Sequence, residues 1–224
     1  MNNIQKALEN GQSIWLDSIS REMLRSGELQ KFIDSGITGV TSNPSIFDKA
    51  IAESNIYDES LIEYAKDGAN SQTIFERLAV DDIRDAADVL RPVYDAASMR
   101  DGYVSIEVSP TLAADTDGTV TEARRLWAAI DRPNVMIKVP GTPEGVPAIK
   151  TLISEGINVN VTLLFSLDAY TTAANAYIEG LSEFAKAARG MPSAVASVAS
   201  FFVSRVDSAV DNALPAGHEL LGKI

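Results

Sequence analysis

The 224-residue sequence predicts an α/β fold, a (β/α)8-type barrel of which about six βα units are present. Three observations point there. Strand-like and helix-like stretches alternate along the chain, which predicts a parallel sheet in a single domain, residues 1–224. Several strands carry their polar residues on one face only. Finally, no G-x-G-x-x-G follows a strand and no G-x-x-x-x-G-K-[ST] loop occurs, so doubly wound nucleotide-binding sheets lose ground. No linker, low-complexity tract or short internal repeat interrupts the pattern.

The first strand is expected at Ser13–Asp17, followed by a helix with Ser20 as cap and Met23, Leu24, Phe32 and Ile33 on its apolar side. The second runs Ile37–Asn43 and stops at Pro44. A long, mainly helical excursion from about Asn55 to Ser98 places Ile74, Leu78, Ile83, Ala87 and Leu90 at helical spacing. The third strand is Tyr103–Val108, with an Asp- and Gly-rich loop and a helix of about Val120–Ile130 after it. The fourth is Val135–Val139, then a helix of about Glu144–Ser154. The fifth is Ile157–Phe165, then a helix of about Leu167–Ala188. The sixth spans Ala194–Val203, and Ser204–Leu214 begins a further helix.

Alternation assigns the faces. Val135, Ile137 and Val139 oppose Met136 and Lys138, and Val104, Ile106 and Val108 oppose Tyr103, Ser105 and Glu107. Ile157, Val159, Val161 and Leu163 oppose Asn158, Asn160 and Thr162, while Ile14 and Leu16 oppose Ser13, Trp15 and Asp17. In the sixth strand Ser200 alternates with Ala199 and Phe201. Apolar faces belong against outer helices, so the polar ones point inward. Their charged members fall late in the strands, the end at which such barrels place active sites. Asp17, Asn43, Glu107, Lys138, Asn160, Thr162 and Ser200 are therefore expected around one mouth. Taken singly, Asp17 and Asn43 read equally as strand ends or helix caps, and Ser200 and Thr162 as packing residues. Glu107 among strand aliphatics needs a partner. Lys138 has two readings: a lysine paired with Glu107 for structure, or a nucleophile. Burial disfavours the charged form of a lysine, and the neutral amine is the form that attacks a carbonyl.

Composition narrows the chemistry. With no cysteine and a single histidine, His218, the chain has no thiolate sites, and serine–histidine triads and multi-histidine metal centres are disfavoured. Nineteen basic against 31 acidic residues give a net charge of −12, which repels nucleic acid and anionic membranes. A phosphorylated substrate needs a local cation against that background. The N-terminal sequence has no apolar signal core and no run approaches a membrane span of about 20 residues, so a cytoplasmic protein is expected.

The segments Gly39–Ser45, Val104–Val108, Met136–Thr142 and Gly156–Ser166, with Asp17 before them and Ser200–Arg205 after them, together resemble the transaldolase family, in its order and over nearly the whole chain. The resemblance implies transfer of a dihydroxyacetone unit through a lysine Schiff base. The donor would be sedoheptulose 7-phosphate or fructose 6-phosphate, and the acceptor an aldose phosphate such as glyceraldehyde 3-phosphate or erythrose 4-phosphate. It places the reaction in the non-oxidative pentose phosphate pathway, with no metal and no organic cofactor. It also assigns roles: Lys138 the nucleophile, Asp17 the acid/base at the donor C4 hydroxyl, and Glu107 with Thr162 acting through a water. Asn43, Asn160 and Ser200 become ligands of substrate hydroxyls, and Arg205 a ligand of phosphate, which would offset the acidic surface locally.

Relative to the family, the Ser200–Arg205 match belongs to strand six of eight, and the residues after it are too few for two more units of about 30 residues each. A chain cut short, with unpaired sheet edges open to self-association, is the expectation. Two other readings stay open: a lyase of the fructose 6-phosphate aldolase type, against which Glu107 and the long excursion count, and a barrel fragment without activity.

Overall fold

The computed structural model describes residues 2–223. Six parallel strands lie side by side in chain order: β1 (Trp15–Leu16), β2 (Gly39–Val40), β3 (Val104–Glu107), β4 (Val135–Pro140), β5 (Val159–Leu164) and β6 (Ser197–Phe201). A doubly wound sheet reverses its strand order at a switch point; this one never does. The sequential order is that of barrel staves, and β1 and β6 each have a single strand neighbour among the described residues. The fold is an α/β partial barrel, as expected.

The helices are α1 (Asn3–Glu9), α2 (Arg21–Arg25), α3 (Glu28–Asp34), α4 (Pro44–Ala52), α5 (Asp58–Lys66), α6 (Ser71–Ala96), α7 (Thr116–Ile130), α8 (Gly145–Ser154), α9 (Leu167–Lys186) and α10 (Val203–Ala213). Several local signals act as anticipated. Ser20 caps α2 by accepting from the Met23 amide at 3.1 Å, and in α6 Leu78, Ile83, Ala87 and Leu90 are completely buried.

Other expectations need correction. The single helix expected after β1 splits at Gly27, whose φ of 73° is left-handed and ends α2 before α3 begins. The seven-residue second strand contracts to Gly39–Val40, because Asn43 caps α4, accepting from the Ile46 amide at 3.0 Å with Pro44 in the first turn. A proline there loses no helical hydrogen bond, so it starts a helix as well as stopping a strand. Helix α1, held by a reciprocal Asn2–Gln5 cap, was not anticipated. In β5 the alternation breaks: Leu163 adopts φ 61°, the register shifts between Val161 and Leu164, and Leu164 takes the buried outer place that Leu163 was expected to fill.

The main core lies between the outer face of the sheet and its helices, built on Val104, Ile106, Val135, Ile137, Val139, Val159 and Val161. A second cluster closes the N-terminal end of the inner face: Trp15, Tyr94, Tyr103, Met136 and Val198. Trp15 lies flat over Gly39, where any Cβ would sit 2.5 Å from the indole. Behind the sheet, Arg21 of α2 and Asp82 of α6 form a buried ion pair at 2.7 Å. The Tyr57 hydroxyl donates to the same carboxylate at 2.8 Å and accepts from the Arg21 amide at 2.8 Å. Burial pushes the Asp82 carboxyl above its ordinary value, against the opposing pull of Arg21. No helix among the described residues is long and apolar enough to cross a membrane.

Candidate active site

Three neighbouring strands place the central groups. Glu107, Lys138 and Asn160 are register partners across β3, β4 and β5, so their side chains stand side by side on the inner face. The Lys138 ammonium contacts the Glu107 carboxylate at 3.2 Å, with the two side chains only 9% and 22% exposed. It also donates to the main-chain carbonyl of Ser42 at 2.6 Å. Both acceptors face the lysine at the C-terminal end of the sheet, so its charge is matched where water is largely excluded.

A belt of hydrogen bonds runs beneath this pair. The Ser42 hydroxyl donates to the Ser105 carbonyl at 2.7 Å, and Asn160 Nδ2 donates to Ser105 Oγ at 3.1 Å. Ser200 Oγ donates to Asn160 Oδ1 at 2.9 Å. Side chains from the β2 end, β3, β5 and β6 are thereby locked to one another, and Ser42 and Ser105 are fully buried. Thr162, also buried, has no hydrogen-bond partner for Oγ1 among the described residues. An unpaired hydroxyl in such a place carries a cost of about 1–3 kcal/mol.

Five of the eight expected site residues therefore meet on one face: Glu107, Lys138, Asn160, Thr162 and Ser200. Asn43 is half-buried beside Ser42, and its side-chain oxygen serves as the cap of α4, so the capping reading is the observed one for Oδ1. Asp17 follows β1 directly and is exposed, with no side-chain hydrogen bond or ion pair among the described residues. Arg205 lies in the first turn of α10, exposed, its guanidinium 4.1 Å over the Phe202 ring, which stacks on Phe165 at 5.1 Å. The structure does not bring Asp17 or Arg205 into the hydrogen-bonded cluster. Sequence reasoning passed over Ser42, because it acts through a main-chain carbonyl that no residue type announces. Ser105 carried a signal, its place on the same face as Glu107.

A cavity of about 230 Å3 opens between α4, α6, α7 and the end of β3, walled by Phe47, Phe75, Ala79, Ile106, Val108 and Leu126, with Ser42, Asn43 and Glu107 also in its lining. No lysine or arginine lines it, so it suits a polyhydroxylated anion poorly, and the inner face remains the better candidate. Among the described residues no group of three or more His, Asp or Glu side chains is arranged to hold a metal ion.

Comparison with known proteins bears on this arrangement. The chain is 55% identical over 207 residues to a transaldolase of Trichodesmium erythraeum, covering 91% of this chain and 54% of that protein. It is 50% identical over 218 residues to transaldolase 2 of a Nostoc species, covering 96% and 57%, and 52% identical over 202 residues to a transaldolase of Thiobacillus denitrificans, covering 90% and 56%. The chain thus spans a little over half the length of these curated relatives. A family model described as transaldolase/fructose-6-phosphate aldolase matches residues 14–223, and with this match the chain belongs to that family.

Proposed function

We propose that the protein is a transaldolase acting through a Schiff base on Lys138. The observation that carries this reading is the Lys138 ammonium itself, buried at the C-terminal end of the inner face and touching a carboxylate at 3.2 Å. A lysine so placed has a proton acceptor at hand and little water to compete with a carbonyl.

The proposed steps join that pair to the roles the family resemblance implies for Asp17, Thr162, Asn43, Asn160, Ser200 and Arg205. Glu107 accepts a proton from the ammonium, and the neutral Nζ adds to the C2 carbonyl of fructose 6-phosphate or sedoheptulose 7-phosphate. The carbonyl oxygen leaves as water, with Thr162 and Glu107 handling the proton transfers. Asp17 takes the proton of the C4 hydroxyl as the C3–C4 bond breaks, and the bonding electrons move into the protonated imine. This electron sink lets the released aldose phosphate depart while the three-carbon unit stays on Lys138. The aldehyde of glyceraldehyde 3-phosphate or erythrose 4-phosphate then captures that unit, and hydrolysis frees the lysine. Asn43 through Nδ2, Asn160 and Ser200 hold substrate hydroxyls, and Arg205 binds the phosphate. The pathway is the non-oxidative pentose phosphate route, in the cytoplasm.

Steady-state assay with fructose 6-phosphate and erythrose 4-phosphate tests the reading. Formation of sedoheptulose 7-phosphate is expected. Release of free dihydroxyacetone as the main product would instead support the lyase, and neither product would support an inert barrel fragment.

A further inference from the structure

The geometry points to the main-chain carbonyl of Ser42 as the acceptor that holds the last N–H of the Lys138 Schiff base, and to the Ser42 hydroxyl as the group that positions that carbonyl. This rests on the Schiff-base reading above. The lysine nitrogen carries three N–H bonds as an ammonium, two as an amine and one as a protonated imine. One proton goes to Glu107 as the amine forms and a second moves from nitrogen to the former carbonyl oxygen; Glu107 then returns its proton, and that oxygen departs as water. The remaining N–H needs an acceptor throughout, because an unpaired charged donor in a dry site is costly.

Two acceptors touch Nζ: Glu107 at 3.2 Å and Ser42 O at 2.6 Å. Glu107 has by then returned its proton to the departing water, and its carboxylate faces the iminium charge from the greater distance. The Ser42 carbonyl is closer, and a neutral amide oxygen is too weak a base to remove an iminium proton. It therefore fixes the imine plane while leaving the proton, and with it the electron sink, on nitrogen.

What fixes the carbonyl is unusual for this sheet. The β2–β3 ladder contains one register pair, Val40 with Val104, so backbone pairing ends before Ser42. The Ser42 hydroxyl extends it by donating to the Ser105 carbonyl at 2.7 Å, and Asn160 anchors the Ser105 hydroxyl from β5, two strands away, at 3.1 Å. The next residue, Asn43, is tied down as the cap of α4. Facing Lys138 are Ser42 beyond β2, Glu107 on β3 and Asn160 on β5; the charged one within 4 Å is Glu107. Ser42 is thus a positioning residue, acting through its own carbonyl.

The test uses Ser42→Ala, Ser42→Cys and Ser42→Thr beside wild type, with Asn134→Ala as a control that removes buried hydrogen bonds to Ala87 and Gly102 at the other end of the sheet. Each is incubated with fructose 6-phosphate, reduced with borohydride across a pH series, and the Lys138 adduct is quantified. Ser42→Ala is expected to lower trapping about tenfold. Ser42→Cys, a near-isostere with a weak donor, is expected to fall between, and Ser42→Thr to restore trapping. Asn134→Ala is expected to melt earlier with trapping unchanged across the pH series. Trapping in Ser42→Ala and Ser42→Cys equal to that of a trapping wild type would overturn this inference alone. No adduct on wild type would overturn the Schiff-base reading, and the imine contact with it.

Discussion

Strands β3 to β5 and the outer strands β1 and β6 follow the same alternation, yet they treat their polar residues differently. In the middle, Glu107, Lys138 and Asn160 are register partners, and each is held by a neighbour. At the edges, Asp17 is exposed beyond the two-residue β1, and β6 keeps Ser200 only through its bond to Asn160 while Ala199 and Phe201 face outward, exposed. A polar group on an inner face is fixed when strands on both sides supply partners. With one neighbouring strand the holding is partial: Ser200 keeps one bond, to Asn160, and Asp17 is left to solvent.

The contrast can be broken by substitution. Lys138→Met is expected to abolish adduct formation, at least a thousandfold below wild type, since no other residue supplies the electron sink; retained transfer activity would remove the centre of the site. Breaking the buried pair behind the sheet by Asp82→Ala leaves Arg21 and Tyr57 without their partner, and a loss of about 3–5 kcal/mol is expected in urea unfolding. Asn160→Ala orphans Ser105 Oγ and Ser200 Oγ, with an expected cost of about 1–3 kcal/mol. Arg205→Ala should change stability by no more than about 0.5 kcal/mol while raising the KM for sugar phosphates. If Arg205→Ala destabilised the fold as much as Asn160→Ala, edge and centre would not differ as described.

A pH experiment sharpens the same distinction. Burial raises the Tyr57 and Tyr103 hydroxyls well above the ordinary tyrosine value, and hydrogen bonding to Asp81 lifts Tyr64 to about 12. A folded value above the unfolded one means that the stability from the neutral hydroxyl is complete below pH about 10. It is lost as pH rises through the folded values. Phenolate absorbance from Tyr57 and Tyr103 is therefore expected only together with alkaline unfolding seen by circular dichroism. Full titration of every tyrosine while the far-ultraviolet signal is intact would contradict their burial.

The fold and the centre of the site were legible because both follow from period-two alternation, which survives wherever strands are long and paired on both sides. Lys138 between Ile137 and Val139, and Asn160 between Val159 and Val161, could be placed on the inner face from sequence alone. Alternation failed at Leu163, where a left-handed residue inserts a bulge and no glycine marks it. It was also silent on the β2 boundary, where Asn43 and Pro44 end a strand and start a helix with the same residues. Ser42 was hidden for a different reason: its contribution is a carbonyl common to all residues, and only the fold aims it at Lys138. At the half-buried Asn43 the capping reading is the one observed, its Oδ1 accepting from the Ile46 amide.

Mass mapping of the borohydride-reduced complex with fructose 6-phosphate tests the central claim most directly. One adduct is expected, on the peptide containing Lys138, and none in Lys138→Met. Absence of any adduct, or adducts spread over exposed lysines and unchanged in Lys138→Met, would contradict it.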